Sequence, residues 1–507
     1  MGSRTLNSKR NIIVGSVSSC LIPLLAMVIN SATVRYFGVE YIGLTGVFRS
    51  VLQVLNLTEL GFSSAVIVNL YKPLKDDDVA AVRGILAYYR RVYRIIGIAI
   101  LISGMIVCPL LDRLIGDTGG IGENIYILYL LYLTDTAMGF LLFGYKEALF
   151  HAAQRLDITK AVHIIIYIGK SILQLAAIAV LRNFYAYAAA IAVGTVFYNL
   201  SLNILSKKKF PQYYPDGRID DDTRKNVREQ VVGVSVSRIL GATRESYPMI
   251  AVNSFLGLHT AGQYSNYCLI FSTVLGFFLI ITKAVQASIG NSIVSETAEK
   301  NYADLTRMEF LQNAFITACA AYLVSLYQPF MKIWMGSDLV FPVPVMMLFV
   351  LYFYILAMGE VRNAYFSALG YWWKARWIFI VEALMNVILI TGMGKLFGVA
   401  GIILATIITV FFVNYIGVTN LLFREYFGSG RNEFYRNRII YTVAAFIICG
   451  AVWSVCGLIP LEGAVGIIVR LAVCTLIIVI LLPGLMFLSQ RKNMTEAAAF
   501  VRQIIRA

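Results

Sequence analysis

Stretches of about 20 or more mainly apolar residues recur along nearly the whole chain, and they restrict the fold more than any other feature. With a rise of about 1.5 Å per residue, a helix of that length crosses a bilayer. Of the 507 residues, 59% are hydrophobic and 14% are charged, which is too apolar for a soluble globular protein. The sequence therefore predicts an all-α polytopic membrane protein.

We interpret these stretches as about 14 transmembrane helices, arranged in two six-helix repeat bundles with two extra helices at the carboxyl terminus. The predicted domains are an amino-terminal lobe over 1–206, a cytoplasmic linker over 207–227, a carboxyl-terminal lobe over 228–424, two additional transmembrane helices over 425–490 and a cytoplasmic amphipathic tail over 491–507.

Pairs of short motifs indicate the repeat. RYFGVEYIG, which ends at Gly43, pairs with SFLGLHTAG, which ends at Gly262, and LIGD at Leu114 pairs with WMGSD at Trp334. Each repeat is predicted to hold six spans, an even number, so both enter the membrane from the same side. We expect an axis along the membrane normal to relate them.

Most of the 43 Lys and Arg residues fall on one side of the predicted membrane when the amino terminus is placed in the cytoplasm. This bias predicts cytoplasmic amino and carboxyl termini. It also explains the net charge of +15 without nucleic acid, because basic loops are attracted to the anionic lipid of the inner leaflet.

Several charged residues lie inside the predicted spans, where a charge near the bilayer centre costs roughly 2.5–3.5 kcal/mol and faces other helices or a wet cavity. We predict a cavity whose basic residues bind an anionic diphosphate, namely Arg49, Arg238, Arg244 and Lys170. Further candidates for lining this cavity, or for coupling to H+ or Na+, are Glu59, Asp135, Glu245, His163, Gln53 and Asn56.

An alternative interpretation is that these charges join helices, through ion pairs of Arg49 with Glu59 or Asp135 and of Lys170 with Asp135. Other charged residues lie within about two helical turns of an interface, so we expect their side chains to snorkel to it. They are Lys283, Arg362, Glu382 and Arg470.

Enzymatic chemistry has no visible basis in the sequence. The predicted cytoplasmic loops are short and contain no P-loop, GxSxG or HExxH motif. Only three histidines occur, and the seven cysteines are scattered through apolar segments without metal-ligand spacing. We therefore expect no enzyme, no cofactor and no metal site.

Several segments are similar to polysaccharide-unit flippases of the Wzx type, within the multidrug/oligosaccharidyl-lipid/polysaccharide (MOP) exporter superfamily. They are KRNIIVGSV, VRYFGVEYIGLTGVFRSVLQVLNLTELGFSSAV, LYKPL with YYRRVYR, and QASIGNSIVSE. The resemblance extends over nearly the whole chain. It implies a V-shaped pair of six-helix bundles that work by alternating access.

The cargo implied by this resemblance is an undecaprenyl-diphosphate-linked oligosaccharide. It would move from the cytoplasmic to the outer face of a bacterial inner membrane for capsule, O-antigen or similar polymer synthesis, with polysaccharide polymerase machinery as a partner. Cavity arginines of the family correspond in kind to Arg49, Arg238 and Arg244. Arg49 and Glu59 have no charged counterpart at Cys268 and Phe278, so we expect the two lobes to hold different parts of the cargo.

Two further functions stay open within the same superfamily. A peptidoglycan-precursor flippase would also bind a polyprenyl diphosphate. A cation-coupled multidrug exporter favours an acidic or apolar cavity, so the predicted basic residues argue against it.

Overall fold

The computed structural model describes the backbone of residues 2–56, 62–118 and 120–506. Side chains are described in these ranges except at 2–9, 11–13, 64, 222, 226, 228–240, 242, 280–281, 283–285, 287–288 and 485–506. The described backbone consists of helices joined by loops and contains no β-strand. The all-α prediction is confirmed.

The helices of the first half are α1 (Gly2–Tyr36), α2 (Glu40–Leu55), α3 (Phe62–Lys75), α4 (Val79–Val107), α5 (Leu111–Ile115), α6 (Ile125–Leu141), α7 (Glu147–Ala152), α8 (Leu156–Ala179) and α9 (Phe184–Lys209). Those that follow are α10 (Asp221–Ser295), α11 (Ala298–Met335), α12 (Val343–Met358), α13 (Glu360–Ala368), α14 (Arg376–Ile408), α15 (Ile416–Leu422), α16 (Arg431–Gly457) and α17 (Gly463–Arg506). Two π-helical segments, Thr409–Tyr415 and Phe423–Phe427, flank α15.

The chain groups into two compact units, Met1–Asn266 and Tyr267–Ala507. In the amino-terminal unit, α8 packs on α1 and α9, α9 packs on α6, and α6 packs on α4. In the carboxyl-terminal unit, α11 is the central helix and contacts α12, α16 and α17. The domain boundaries derived from the sequence repeat stay a prediction.

Nine helices in the described ranges are long and apolar enough to cross a membrane, and a tenth span is formed if Ile125–Leu141 and Gly144–Ala152, bent by 47°, are taken together. One of the nine, Arg376–Phe427, has 52 residues and a non-helical backbone at Gly398. Helix α10 has 75 residues and a similar break at Gly257. The chain is a multi-span membrane protein, and the number fourteen stays a prediction.

The paired motifs RYFGVEYIG and SFLGLHTAG contact each other inside the amino-terminal unit. A Cβ on Gly43 would lie within 3.0 Å of the Leu258 carbonyl oxygen, and a Cβ on Gly262 would lie within 3.0 Å of the Val39 carbonyl oxygen. Val39 and Leu258 occupy equivalent positions in the two motifs, as the two glycines do. The contact is therefore reciprocal, as at a two-fold interface.

The remaining residues of the two motifs follow the same symmetry. Glu40 and His259, which are 219 residues apart and equivalent, meet with 2.9 Å between Oε1 and Nδ1. Gly38 (φ 111°) and Gly257 (φ 80°), which open the turns, both occupy the left-handed region that glycine tolerates without strain. The sequence repeat thus has a matching repeat in backbone conformation.

Buried charges connect the helices of the carboxyl-terminal unit. Arg438 on α16 and Glu309 on α11 form an ion pair, and they are only 5% and 3% exposed. Arg438 also donates to Asn313 Oδ1 at 2.7 Å and to the Met358 carbonyl, the last of α12, at 3.1 Å. This single guanidinium joins three helices.

The expectation that Arg362 and Glu382 snorkel to an interface is wrong. Arg362 is 1% exposed and donates to the Tyr415 carbonyl at 2.6 Å and to Thr419 Oγ1 at 3.1 Å. Tyr415 is the last residue of the π-helical segment Thr409–Tyr415. The Arg362 guanidinium is therefore hydrogen-bonded inside the protein and does not extend to the membrane surface.

Glu382 is likewise buried, and it accepts from Asn414 Nδ2 at 2.7 Å. Arg470 donates to the carbonyls of Leu461 and Ile459, in the loop between α16 and α17, at 2.7 and 2.8 Å. The side chain of Lys283 lies outside the described residues.

Replacing Gly43 or Gly262 by Ala should lower the free energy of unfolding by roughly 2 kcal/mol, because the new methyl group meets a rigid carbonyl. Gly276→Ala, on α10 like Gly262, is the matched control, since a Cβ there meets no atom within 4 Å. Thermal melting of the purified protein in detergent measures all three variants. Equal melting temperatures for Gly43→Ala and Gly276→Ala would rule out the close approach.

Glu309→Leu should lower the free energy of unfolding by about 3–5 kcal/mol, because it leaves the Arg438 cation buried without its carboxylate. Adding Arg438→Met should recover most of this loss, since an apolar pair replaces a buried ion pair at little cost. Unfolding of the two variants in mixed micelles tests the coupling. A double variant no more stable than Glu309→Leu would contradict it.

Candidate functional site

A polar cavity of about 220 Å³ lies between α2, α6 and α9 in the amino-terminal unit. Its lining residues are Arg49, Leu52, Gln53, Asn56, Tyr132, Asp135, Thr136 and Ile191. The residues predicted from the sequence are prominent among them. Arg49, Gln53, Asn56 and Asp135 all line this one cavity.

The amphipathic pattern of α2 presents its polar residues to the cavity. Arg49 and Gln53 are four residues apart and Asn56 follows three later, so all three share a helix face. Phe48 and Val51, on another face, are buried in the core. Arg49 and Gln53 are exposed, and Asn56 Oδ1 is buried with no hydrogen-bond partner in the described part of the chain.

Asp135 lies between two cations. Its Oδ1 accepts a hydrogen bond of 2.5 Å from Thr195 Oγ1 on α9, and its carboxylate interacts electrostatically with Lys170 and Arg49. Within the described side chains, neither cation has a nitrogen within 4.0 Å of an Asp135 carboxylate oxygen, so no direct ion pair forms. The helix-joining pairs of the alternative interpretation are therefore not formed with Asp135, and Glu59 lies outside the described residues.

Lys170 reaches this group of charges across α9. A Cβ added to Gly194 would lie 3.1 Å from Lys170 Cδ, so the aliphatic part of the lysine lies along a helix surface that has no side chain. The ammonium group is 4.0 Å from the centre of the Tyr167 ring, a cation–π contact. The ring and the glycine together hold the lysine near Asp135.

Phenol groups surround Arg49. The tyrosines that interact with its guanidinium are Tyr132, Tyr187 and Tyr167. Tyr132 pairs its hydroxyl with Thr45 Oγ1 at 3.1 Å, and Tyr187 is hydrogen-bonded to Gln174. These neutral hydroxyls do not cancel the charge of the guanidinium. Two cations, Arg49 and Lys170, thus share one carboxylate, Asp135; Arg49 and Asp135 line the cavity, whereas Lys170 is not among its lining residues.

Helix α10 contacts the rim of the cavity. Gln53 Nε2 donates to Glu245 Oε2 at 3.0 Å, which places the predicted residue Glu245 beside α2. Arg244, the preceding residue, is half-buried. The side chain of Arg238 lies outside the described residues, so its predicted role at the cavity stays a prediction.

His163 belongs to an aromatic row that leads away from Lys170 along α8. Its ring centre is 5.9 Å from that of Tyr167 and 5.7 Å from that of Tyr198 on α9. Its Nδ1 is buried and unpartnered among the described atoms. Buried polar atoms are normally hydrogen-bonded, so this unpartnered nitrogen is unusual.

Sequence reasoning missed Gly194 and Thr195 on α9, and it missed Tyr132 and Tyr187 beside Arg49. Helical spacing identifies which residues share a face but not which neighbouring helix that face meets. In the described residues, no group of three or more His, Cys, Asp or Glu side chains is placed to hold a metal ion.

Comparison with solved structures identifies the fold. The chain is similar to the lipid II flippase MurJ in an inward closed conformation, with a TM-score of 0.67 and 16% identity over 94% of this chain and 99% of that one. It is also similar to an inward-facing multidrug resistance MATE transporter of the MOP superfamily, with a TM-score of 0.62 and 15% identity over 80% of this chain and 96% of that one.

A third similar structure is a mutant of the Vibrio cholerae MATE transporter VcmN, with a TM-score of 0.58 and 14% identity over 84% of this chain and 99% of that one. No protein-family model matches the sequence. No curated protein sequence matches it either. At these identities the likeness establishes the fold: this chain has the architecture of MOP-superfamily transporters.

Pyrophosphate is a probe of the charge at the cavity. Lys170→Gln should weaken its binding to the purified protein about tenfold, whereas Asp135→Asn should strengthen it several-fold by removing a competing negative charge. Isothermal titration calorimetry at low salt measures both. Lys75→Gln, at an exposed position outside the cavity, removes the same charge and should have no effect. Unchanged affinity in Asp135→Asn would contradict the proposed grouping.

Proposed function

We propose that this chain is a flippase for an undecaprenyl-diphosphate-linked oligosaccharide, moved from the cytoplasmic to the outer face of a bacterial inner membrane by alternating access. The observation that carries the proposal is the grouping of two cations, Arg49 and Lys170, with the single carboxylate of Asp135 at the cavity. The fold shared with MurJ and MATE transporters supports it. The product would serve capsule, O-antigen or similar polymer synthesis, with a polymerase acting next.

The diphosphate is the part of the cargo that these cations suit. A guanidinium donates in a planar fork that matches two phosphate oxygens, which assigns Arg49 the bidentate contact. The ammonium of Lys170, held over the Tyr167 ring, contributes a second positive charge. The polyprenyl tail would stay in the bilayer, because its burial in a charged cavity of about 220 Å³ is unfavourable.

Asp135 gives this site a way to couple an ion to its cargo. Without cargo, its carboxylate partly balances Arg49 and Lys170 while accepting a hydrogen bond from Thr195. An arriving diphosphate competes with it for the same cations. Binding H+ or Na+ at Asp135 would remove that competition, so the coupling ion and the cargo would bind together. Glu59 and Glu245 are the other candidates for this role.

Sugar rings would follow the aromatic row. The ring centres of Tyr167, His163 and Tyr198 are spaced by 5.9 and 5.7 Å along α8 and α9. Aromatic rings combine a large apolar face with polar edges, which suits the apolar face and hydroxyls of a sugar. His163 Nδ1 and Asn56 Oδ1 are unpaired acceptors among the described atoms and suit sugar hydroxyls.

A second candidate is a flippase for a lipid-linked peptidoglycan precursor, and the likeness to the lipid II flippase MurJ over 94% of the chain favours it. Both cargoes carry a polyprenyl diphosphate, so the cavity suits either. Deletion separates them: loss of surface polymer in viable cells supports the first, and loss of viability supports the second. A cation-coupled multidrug exporter is disfavoured because the cavity would repel cationic drugs.

Arg49→Ala should lower flipping of a fluorescent undecaprenyl-diphosphate oligosaccharide in proteoliposomes at least tenfold, because the bidentate phosphate contact is lost. Arg49→Lys should retain more activity, since it keeps the charge without the fork. Arg113→Ala, at an exposed arginine outside the cavity, is the matched control and should flip normally. The readout is the fraction of label accessible to an external quencher over time.

Arg244→Ala should also abolish export while leaving folding and membrane level intact, if Arg244 binds the diphosphate as predicted from the sequence. Polymer at the cell surface and the amount of protein in the membrane are measured together. Normal polymer at a normal protein level would remove Arg244 from the site without affecting the role of Arg49.

A further inference from the structure

A second basic cavity, of about 400 Å³, lies in the amino-terminal unit between α4 and the loop that precedes α10. Arg90, Arg91 and Arg94 line it together with Ile95, Ile98 and Asp216. It involves none of the residues that line the Arg49 cavity. Its chemistry therefore needs a separate explanation.

The arginines of this cavity have no carboxylate partner. Within the described residues none of Arg90, Arg91 and Arg94 forms an ion pair, and Asp216 uses Oδ1 to accept the Gly217 amide at 2.8 Å. Another arginine of the same helix differs. Arg83 donates to the Gln212 carbonyl at 2.8 Å and lies 3.8 Å from the centre of the Tyr214 ring, so it already fastens the loop to α4.

The positive charge is held in place by the surrounding structure. Arg90 is hydrogen-bonded to the hydroxyl of Tyr145, which is buried, and Arg94 interacts with the same group. Lys146 is 5% exposed, donates to Asn203 Oδ1 at 2.8 Å and is repelled by Arg90 and Lys207. Like charges gathered at close range repel one another, so an anion placed among them would be stabilised.

An apolar stripe continues from the cavity along α4. Beyond Arg94 the exposed side chains are Ile95, Ile98, Ile102, Met105 and Ile106, each at least half exposed. In a multi-span membrane protein such a stripe faces lipid tails. The arginines therefore lie where the lipid-facing surface of α4 gives way to the polar boundary of the membrane.

We propose that this cavity binds the phosphate headgroup of an anionic phospholipid, whose acyl chains lie along the isoleucine stripe of α4. Charge complementarity and the adjoining apolar surface both select such a lipid over a soluble anion. With the orientation predicted from the sequence, the cavity opens to the inner leaflet, where anionic lipids attract basic residues. The bound headgroup bridges α4 to the loop at residues 215–217.

Native mass spectrometry of the delipidated full-length protein, titrated with phosphatidylglycerol, tests this site. Arg91→Gln with Arg94→Gln should weaken binding of the first lipid at least fivefold, and both side chains are exposed, so the fold should be kept. Lys208→Gln with Lys209→Gln removes the same charge from exposed positions outside the cavity and should leave binding unchanged. Arg49→Ala should also leave it unchanged.

Three results would overturn the proposal. Equal weakening by the two double variants would show diffuse charge attraction. Loss of the lipid in Arg49→Ala alone would place it in the other cavity. Tight binding of soluble glycerol phosphate, at the affinity of the lipid, would identify a free-phosphate site. A lipid signal that depends on Arg91 and Arg94 but not on Arg49 supports the proposal whether or not the flippase function holds.

Discussion

The unfavourable energy of an uncompensated charge in an apolar environment governs this structure. The carboxyl-terminal unit meets it by internal pairing: Arg438 has the carboxylate of Glu309 and two further acceptors, and Arg362 donates to the carbonyl of Tyr415 at the end of a π-helical segment. The amino-terminal unit leaves Arg49 and Lys170 with one carboxylate between them, beside an open cavity. The same constraint is met by a buried polar network in one unit and by a cavity with charged lining residues in the other.

The two halves of the chain have diverged where this difference lies. The positions that correspond to Arg49 and Glu59 in the second repeat are Cys268 and Phe278. Phe278 is buried and stacks on Phe315 with 5.9 Å between ring centres, so the equivalent helix face is part of an apolar core. A repeated scaffold can therefore carry a single charged site, because apolar packing replaces the charges in the other copy.

Sequence periodicity identified the site residues that stand out against an apolar helix. Burying a polar side chain within a membrane span is costly, so such a residue indicates a helix contact or a cavity. This argument identified Arg49, Gln53, Asn56 and Asp135. The contacts of Gly194 and Thr195 could not be predicted from the sequence, because they depend on the packing of α9 against α6 and α8. Basic residues precede Arg438 in the sequence, as in a cytoplasmic loop, yet α16 begins at Arg431 and places Arg438 about two turns inside the helix. Position along a helix can be inferred from sequence, whereas the partner across an interface depends on tertiary packing.

The contact between the two glycine motifs has a consequence for the origin of the chain. Gly43 contacts Leu258, and Gly262 contacts Val39. Since the two glycines are equivalent, and Val39 is equivalent to Leu258, exchanging the two motifs would leave the contact unchanged. Nothing in that arrangement requires the two motifs to belong to one polypeptide. A half-length ancestor with a single motif could form the same contact as a homodimer, because the interface is self-complementary. Fusion of two gene copies would keep this interface and allow the two halves to diverge in sequence.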